Sequence, residues 1–503
     1  MKKILTLIFA LALGFVLVAC GEVQKPGNGN GNGGNGNNQP KTVYLQYADW
    51  NTTDENRALL EAFTEKYPHI KVTFTEIGGH GEEFTGNLIS AAQQDLLPDV
   101  FAIDNVPTVI GAGLTLDVAK YWDADEDAKL VYDNIANTAV YDGKRYAIPS
   151  FQFVKGIYIN LSLFDKKNMQ TEVGKWRMDD DGYPVKDWTH AEFIELVKEL
   201  TSYTINNKET FMIGLGTWYG GLDFQQIWPM MNAPDVLYDT FNGQKFNYLS
   251  QDWIEAMKVV VDLRNQTKYP GLLDQLPEEA ADISAEIGWA LATGYQAFGI
   301  DGSWNFHGIE TAKENGVKVG FWPYPAGTDN QNPPTILDYT VVSSQTRHPE
   351  EAYLLAKWMS YGKDGWNKRL DIFEEMRQEK IKDGLPITHL DRYPIADYDG
   401  VWDRIDNLLV DENGEDYIVG LRDILANIHN GMPDLDKWLA GYKDFWGWVN
   451  NEENSYNFAT LIEQGPGSVE AFAQEWNKKV NELVSAGVEF GDDELPPAEG
   501  DTP

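Results

Sequence analysis

The sequence predicts a mixed α/β fold divided into at least two lobes, and three observations carry that expectation. Strand, helix, strand, helix and strand patterns follow one another between Thr42 and Ile103, the grammar of a sheet wound with helices on its faces. A chain of 503 residues exceeds what a single hydrophobic core usually holds. The stretch Tyr141–Asp165, YDGKRYAIPSFQFVKGIYINLSLFD, reads as two extended segments after a tight turn. Its Asp142-Gly143 pair suits a hairpin, because glycine takes a positive φ without a steric cost. Pro149 cannot donate to a ladder, which places the segment before it at a sheet edge or on its way out of the sheet.

The amino terminus carries Lys2 and Lys3, an apolar run from Ile4 to Val18, and Leu17-Val18-Ala19-Cys20. That run falls short of the roughly 20 apolar residues that cross a bilayer and reads as a signal peptide over residues 1–20. Its end resembles the lipobox of bacterial lipoproteins, which implies cleavage before Cys20 and a diacylglyceryl group on its thiol; the alternative is a secreted protein with an incidental cysteine. Two acyl chains hold a protein on a membrane far better than one. Cys20 is the only cysteine, so with Cys20 lipidated the folded part has no disulfide and no cysteine metal ligand. Residues 21–41, with GNGNGGNGNNQP among them, form a flexible Gly/Asn linker, and residues 491–503 an acidic disordered tail.

Lys and Arg number 40 against 78 Asp and Glu, a formal charge of −38. Such a surface opposes nucleic acid and slows anionic solutes, whereas neutral ligands are indifferent to it. From Thr42 onward, Thr52 or Thr53 caps a helix bearing Leu59, Leu60 and Phe63, Ile70–Ile77 is a strand, and Gly78-Gly79-His80-Gly81 leads into a helix over 82–93. Pro98–Ile103 is a short buried strand. Ligands of such sheets sit beyond the carboxyl ends of the strands, which puts Trp50, Asn51, His80, Asp104 and Asn105 along one edge. Asp179-Asp180-Asp181-Gly182 fails the calcium-loop pattern, with Arg177 and Trp188 at ligand positions, and reads as a surface turn. Thr189 caps a helix over 191–200, and Trp253–Asn265 is amphipathic. Trp358 and Trp476 sit on amphipathic helices and belong to the core.

The segment DGKRYAIP, followed by GIYIN and LFD, is similar to the inter-lobe segment of ABC-transporter solute-binding proteins of the maltose-binding-like family 1 type. Glu286–Phe306, EIGWALATGYQAFGIDGSWNF, resembles that family's helix, small-residue turn, apolar strand and Gly-x-Trp at the ligand. Ile336–Ser344 resembles its second crossing, and Pro349–Tyr361 its interface helix. The resemblance implies a two-lobed periplasmic-binding-protein type II (Venus flytrap) fold, each lobe a sheet flanked by helices. It implies residues 42–149 and 341–372 in one lobe, 150–340 and 373–490 in the other, and a third crossing near Leu370–Arg377. It further implies a lipid-anchored, monomeric receptor on the outer face of the cytoplasmic membrane that passes a carbohydrate to a membrane permease. No cofactor, metal or catalytic residue is expected.

Seventeen Trp and 24 Tyr suit a sugar, whose C–H faces take aromatic rings and whose hydroxyl rim needs hydrogen-bonding partners. Trp304 and Asn305 lead the candidate contacts, with Trp50 and Asn51 next. Asp104 and Asn105 match a polar ligand-facing position, against ordinary helix capping. Gln152 flanks the first crossing, with the apolar Phe153 beside it. Trp218, Tyr219 and Asp223 lie among glycines, and Trp438 and Tyr442 are four apart on a predicted helix, where they line a cleft or simply pack. Aromatics from many segments favour an oligosaccharide. Seven scattered histidines form no HExxH, and no Gly-x-Ser-x-Gly elbow occurs. Two alternatives remain: an extracellular glycoside hydrolase, which needs a carboxylate pair, and a receptor for a peptide or other non-sugar solute. A peptide receptor needs a cleft Arg or Lys for the terminal carboxylate, and the candidate contacts include none.

Overall fold

A computed structural model describes residues 41–164, 176–201, 204–205, 208–209, 213–217, 238–266, 290–488 and 490. The chain divides into two units, Met1–Lys41 and Thr42–Pro503, and the fold below is that of the second. The signal peptide with Cys20, the linker, the acidic tail, and Trp218, Tyr219 and Asp223 lie outside the described residues.

The first three strands, β1 (Val43–Ala48), β2 (Ile70–Phe74) and β3 (Val100–Ile103), are parallel in the order β2-β1-β3. Between them run the helices Asp54–Lys66 and Glu82–Ala92, as the alternating pattern predicts. Thr53 caps the first of these, its side chain accepting from the Asn56 amide. Strands β4 (Val140–Tyr141) and β5 (Lys144–Arg145) form the expected hairpin, with Asp142 and Gly143 at φ of 50° and 77°.

The central element is β6 (Ile148–Asn160), 13 residues long and buried at every position. Strands β7 (Thr204–Ile205) and β8 (Lys208–Glu209) pair only with each other. Strands β9 (Ile213–Thr217), β10 (Gln296–Gly302) and β11 (Val319–Trp322) gather around the second half of β6, with β10 and β11 antiparallel to it. Strand β12 (Pro334–Val342) lies antiparallel to both β3 and the first half of β6, and β13 (Met432–Pro433) adds to β12. Among the described residues this makes one nine-stranded sheet whose two parts share β6. The strand feeds both hydrophobic clusters: Ile148, Phe151, Phe153, Val154 and Tyr158 join one, and Ile157 and Ile159 the other. Trp358 and Trp476 are core residues, Trp358 donating its Nε1–H to the Leu59 carbonyl at 3.0 Å.

Two details depart from expectation. Pro149 stays inside β6 instead of leaving the sheet, because the register slips between Asp338 and Tyr339, which face Phe151 and Pro149. A bulge is one of the few sheet positions that tolerates a residue without an N–H. The Ser150 hydroxyl then meets that of Thr340 at 2.8 Å. Leu370–Arg377, expected near a third crossing, lies inside the 21-residue helix Lys363–Asp383. The later chain reaches β6 instead at Tyr393, which exchanges two backbone hydrogen bonds with Gln152 at 2.9 and 3.0 Å.

Gly156 sits where β6 passes from one set of partners to the other. A Cβ there would lie 2.6 Å from the Phe321 ring, so the close approach of β11 requires glycine. Gly156→Ala is expected to destabilise the fold by about 1–3 kcal/mol through overpacking, read as a lower denaturant midpoint with an unchanged slope.

Candidate functional site

A cavity of about 590 Å³ opens over the middle of β6, within the size range of small-molecule sites. The segments that reach it follow the carboxyl ends of β1, β3 and β10, as ligand sites do in wound sheets. Trp50 and Asn51 come after β1, Asp104 after β3 and Trp304 after β10; His80 comes from the loop ahead of the helix Glu82–Ala92. Phe153 and Lys155 project from β6, Ile336 and Asp338 from β12. The rest of the lining comes from Asp391 and Arg392 and from residues between Asp434 and Asn450, including Tyr442 and Trp446.

Local structure explains how these side chains are held. The buried Asp49 carboxylate accepts from the Asn51 amide at 2.7 Å and from the Tyr47 hydroxyl at 2.8 Å, fixing the turn that presents Trp50. Trp50 packs edge-on to Phe84 and tilted against His80. Trp304 lies in a single 3₁₀ turn, Ser303–Asn305, and its ring folds back over Gly302, where a Cβ would meet it at 2.0 Å. Only glycine leaves that space, which gives the Gly-x-Trp sequence a steric reason. The Phe153 ring stands perpendicular to Trp304 at 5.9 Å between centroids. Tyr442 stacks on Phe246 and donates to the buried Asp239 carboxyl at 3.3 Å.

Of the residues singled out in the sequence, Trp50, Asn51, His80, Asp104, Trp304 and Tyr442 line the cavity. Asn105, Gln152, Asn305 and Trp438 do not. The Asn105 side chain caps the helix Val106–Gly111, accepting from the Thr108 amide, and donates to the Asp436 carbonyl at 2.6 Å. Gln152 points to the far side of β6 and donates to the Pro394 carbonyl. Asn305 donates to Asp301 at 2.9 Å. Trp438 packs against both hydrophobic clusters, its carbonyl accepting from the Tyr141 hydroxyl.

Apart from Asp104, the charged part of the site was missed. Lys155, Arg392, Lys437 and Lys443 line the cavity together with Asp104, Asp338, Asp391, Asp434 and Asp436, and none of the four cations was among the candidate contacts. Each cation has a carboxylate partner: Lys155 with Asp434 at 2.7 Å, Arg392 with Asp391 at 3.0 Å, and both Lys437 and Lys443 with Asp104 at 3.1 and 3.0 Å. Burial raises the Asp104 carboxyl, but the two lysines outweigh it and hold Asp104 below the usual carboxylate range. Burial wins at Asp338, which is raised. Arg392 also covers the faces of Phe151 and Phe153 at 4.8 and 5.5 Å. The readable signal was Asp434-Leu435-Asp436-Lys437 directly after Met432-Pro433, charges next to an extended run instead of in a solvated stretch. Among the described residues no group of three or more His, Cys, Asp or Glu side chains could hold a metal ion.

Comparisons with known proteins place this geometry. Residues 58–371 match the model of the family described as bacterial extracellular solute-binding protein. No curated protein sequence matches significantly. Solved structures do. The ABC substrate-binding protein Lmo0181 from Listeria monocytogenes, in complex with cycloalternan, is 15% identical with a TM-score of 0.60, over 88% of this chain and 100% of its own. The cyclic α-maltosyl-1,6-maltose binding protein from Arthrobacter globiformis is 16% identical with a TM-score of 0.60, over 89% and 100%. The maltose/maltodextrin-binding domain MalE from Bdellovibrio bacteriovorus, bound to maltotriose, is 18% identical with a TM-score of 0.53, over 87% and 99%. The fold is thus the two-lobed binding-protein fold that the sequence predicts.

Lys155 is 5% exposed and its partner Asp434 11%, so removing one charge strands the other. Lys155→Met is expected to lower stability by about 3–5 kcal/mol. Lys155→Met with Asp434→Asn should recover part of that loss, measured by chemical denaturation of the singles and the double.

Proposed function

The chain belongs to the bacterial extracellular solute-binding protein family, and from that premise we propose that it is the carbohydrate receptor of an ABC importer, taking an oligosaccharide between its two lobes. The observation that carries this reading is the cavity itself. Aromatic rings from separate segments, Trp50, Trp304, Tyr442 and Trp446, share its walls with hydrogen-bonding groups. Rings cover the C–H faces of pyranoses, and carboxylate–ammonium pairs offer an acceptor and a donor side by side to vicinal hydroxyls. The structural neighbours described above in complex with cycloalternan and maltotriose support the same ligand class. Trp50, Asn51, His80, Asp104, Trp304 and Tyr442 are the proposed contacts.

In this reading β6, β12 and the segment around Tyr393 are the three connections about which the lobes close. Ligand drives closure because it binds the closed form better than the open one. The closed receptor delivers its sugar to permease subunits and performs no chemistry. Diacylated Cys20 and the Gly/Asn linker keep it at the membrane surface, raising its effective concentration at the permease. Among the described residues no helix is long and apolar enough to cross a membrane.

The test is calorimetric titration of the full chain with maltotriose, maltotetraose, cycloalternan and xylo-oligosaccharides, followed by analysis of the recovered sugars. Saturable one-to-one binding with intact sugar is expected, and Trp304→Ala should weaken it about tenfold or more through lost stacking. Shortened products would replace the receptor by a hydrolase. Binding of peptides with silence toward every sugar would replace it by a receptor for another solute.

A further inference from the structure

Asp436 differs from the other carboxylates of the cavity. Its Oδ1 is buried and has no hydrogen-bond partner, whereas Asp104, Asp391 and Asp434 each hold a cation and Asp338 lies 3.7 Å from Lys437. A buried acceptor without a donor is costly, and one that lines a ligand-sized cavity can be satisfied by a donor that enters it. The backbone around it is pinned from several sides. Asp434 donates its amide to the Thr335 carbonyl at 2.8 Å, the Asp436 carbonyl accepts from Asn105, and the Lys437 carbonyl accepts from the Val106 amide at 2.8 Å. The carboxyl is therefore held in place before any ligand enters, the condition for a contact that discriminates between ligands.

We propose that Asp436 is a specificity-determining contact of this cavity, its Oδ1 accepting a hydrogen bond from a hydroxyl of the bound sugar. The proposal rests on the carbohydrate reading above. A neutral O–H fits better than an ammonium, because Lys155 and Lys437 already supply positive charge at this corner. A solute without a donor at that point leaves the buried oxygen unsatisfied and is rejected.

A proton linkage follows from the surroundings. Burial, then the neighbouring Asp434 charge, pushes the Asp436 carboxyl up to about 7, against the opposing pull of Lys437 and Lys155, with Asp104 adding to the rise. Farther along the wall, Lys443 and Arg392 are already paired with carboxylates, Asp338 is itself raised, and His80 packs against Trp50. A hydroxyl that donates to Asp436 favours its ionised form, so binding drives the carboxyl proton into solvent and the affinity rises with pH through 7.

The experiment is titration of the full chain with maltotetraose, and with each other sugar of the panel above, in buffers of different ionisation enthalpy between pH 6 and 8. The expected result is release of about half a proton at pH 7 and a Kd about tenfold lower at pH 8 than at pH 6. Asp436→Asn keeps the shape and loses the titrating acid, so proton release should vanish and the profile flatten. Binding without proton release in the unmodified chain, or release undiminished in Asp436→Asn, overturns the proposal and leaves the carbohydrate reading standing. Silence toward every sugar overturns both.

Discussion

The structure depends on one strand shared by the two parts of the sheet. β6 has β12 on one side and the Tyr393 segment on the other over its first half, then β10 and β11 over its second. Backbone groups removed from water on both edges must be hydrogen-bonded, and a strand shared in this way is buried throughout its length. That requirement explains its composition: apolar or aromatic residues on both faces, glycine where β11 comes closest, and a proline tolerated only at a bulge. It also fixes the site, because the cavity lies over the middle of this strand, where the sheet changes partners and Phe153 and Lys155 project.

The same constraint organises the electrostatics. Lys155 on β6 pairs with Asp434, and Lys437 and Lys443 reach Asp104 beyond β3, so the 434–443 segment is tied both to the shared strand and to the first sheet. Isolated charges at such depth would be prohibitive, and pairing them leaves a wall that is polar in detail and nearly balanced in sum. A wall of that kind suits a neutral ligand rich in hydroxyls better than a fully charged one. The large negative charge of the whole chain is a property of its surface and does not describe the cavity.

Much of this was legible in the sequence, and what was not has identifiable causes. Alternation of short strands with capped helices gave β1 to β3, and Asp142-Gly143 gave the hairpin before β6, because local turn and capping chemistry decides those elements. Trp50, His80 and Asp104 were placed near the cavity because the ends of strands in wound sheets gather at one edge, Trp304 by the Gly-x-Trp resemblance, and Tyr442 by its place on a predicted helix. The place where the later chain meets β6 differs from the expectation: 370–377 alternates Leu370, Ile372 and Phe373 with charged residues, a pattern that an amphipathic helix takes up with those side chains buried. Asn105, Gln152 and Asn305 follow known site patterns, yet nearby backbone and side-chain groups take their hydrogen bonds, an outcome that only tertiary contacts decide. The ion pairs of Lys155, Lys437 and Lys443 join residues 279 to 339 positions apart in the chain, beyond the reach of any local pattern.

The central claim is that an intact oligosaccharide occupies the cavity over β6. It is tested most directly by a crystal structure of the protein grown with a sugar shown to bind in solution. Continuous density for unbroken glycosidic linkages is expected in the cavity lined by Trp50, Trp304, Tyr442 and Trp446. A sugar seated elsewhere on the protein, or density for a cleaved product in that cavity, would contradict it.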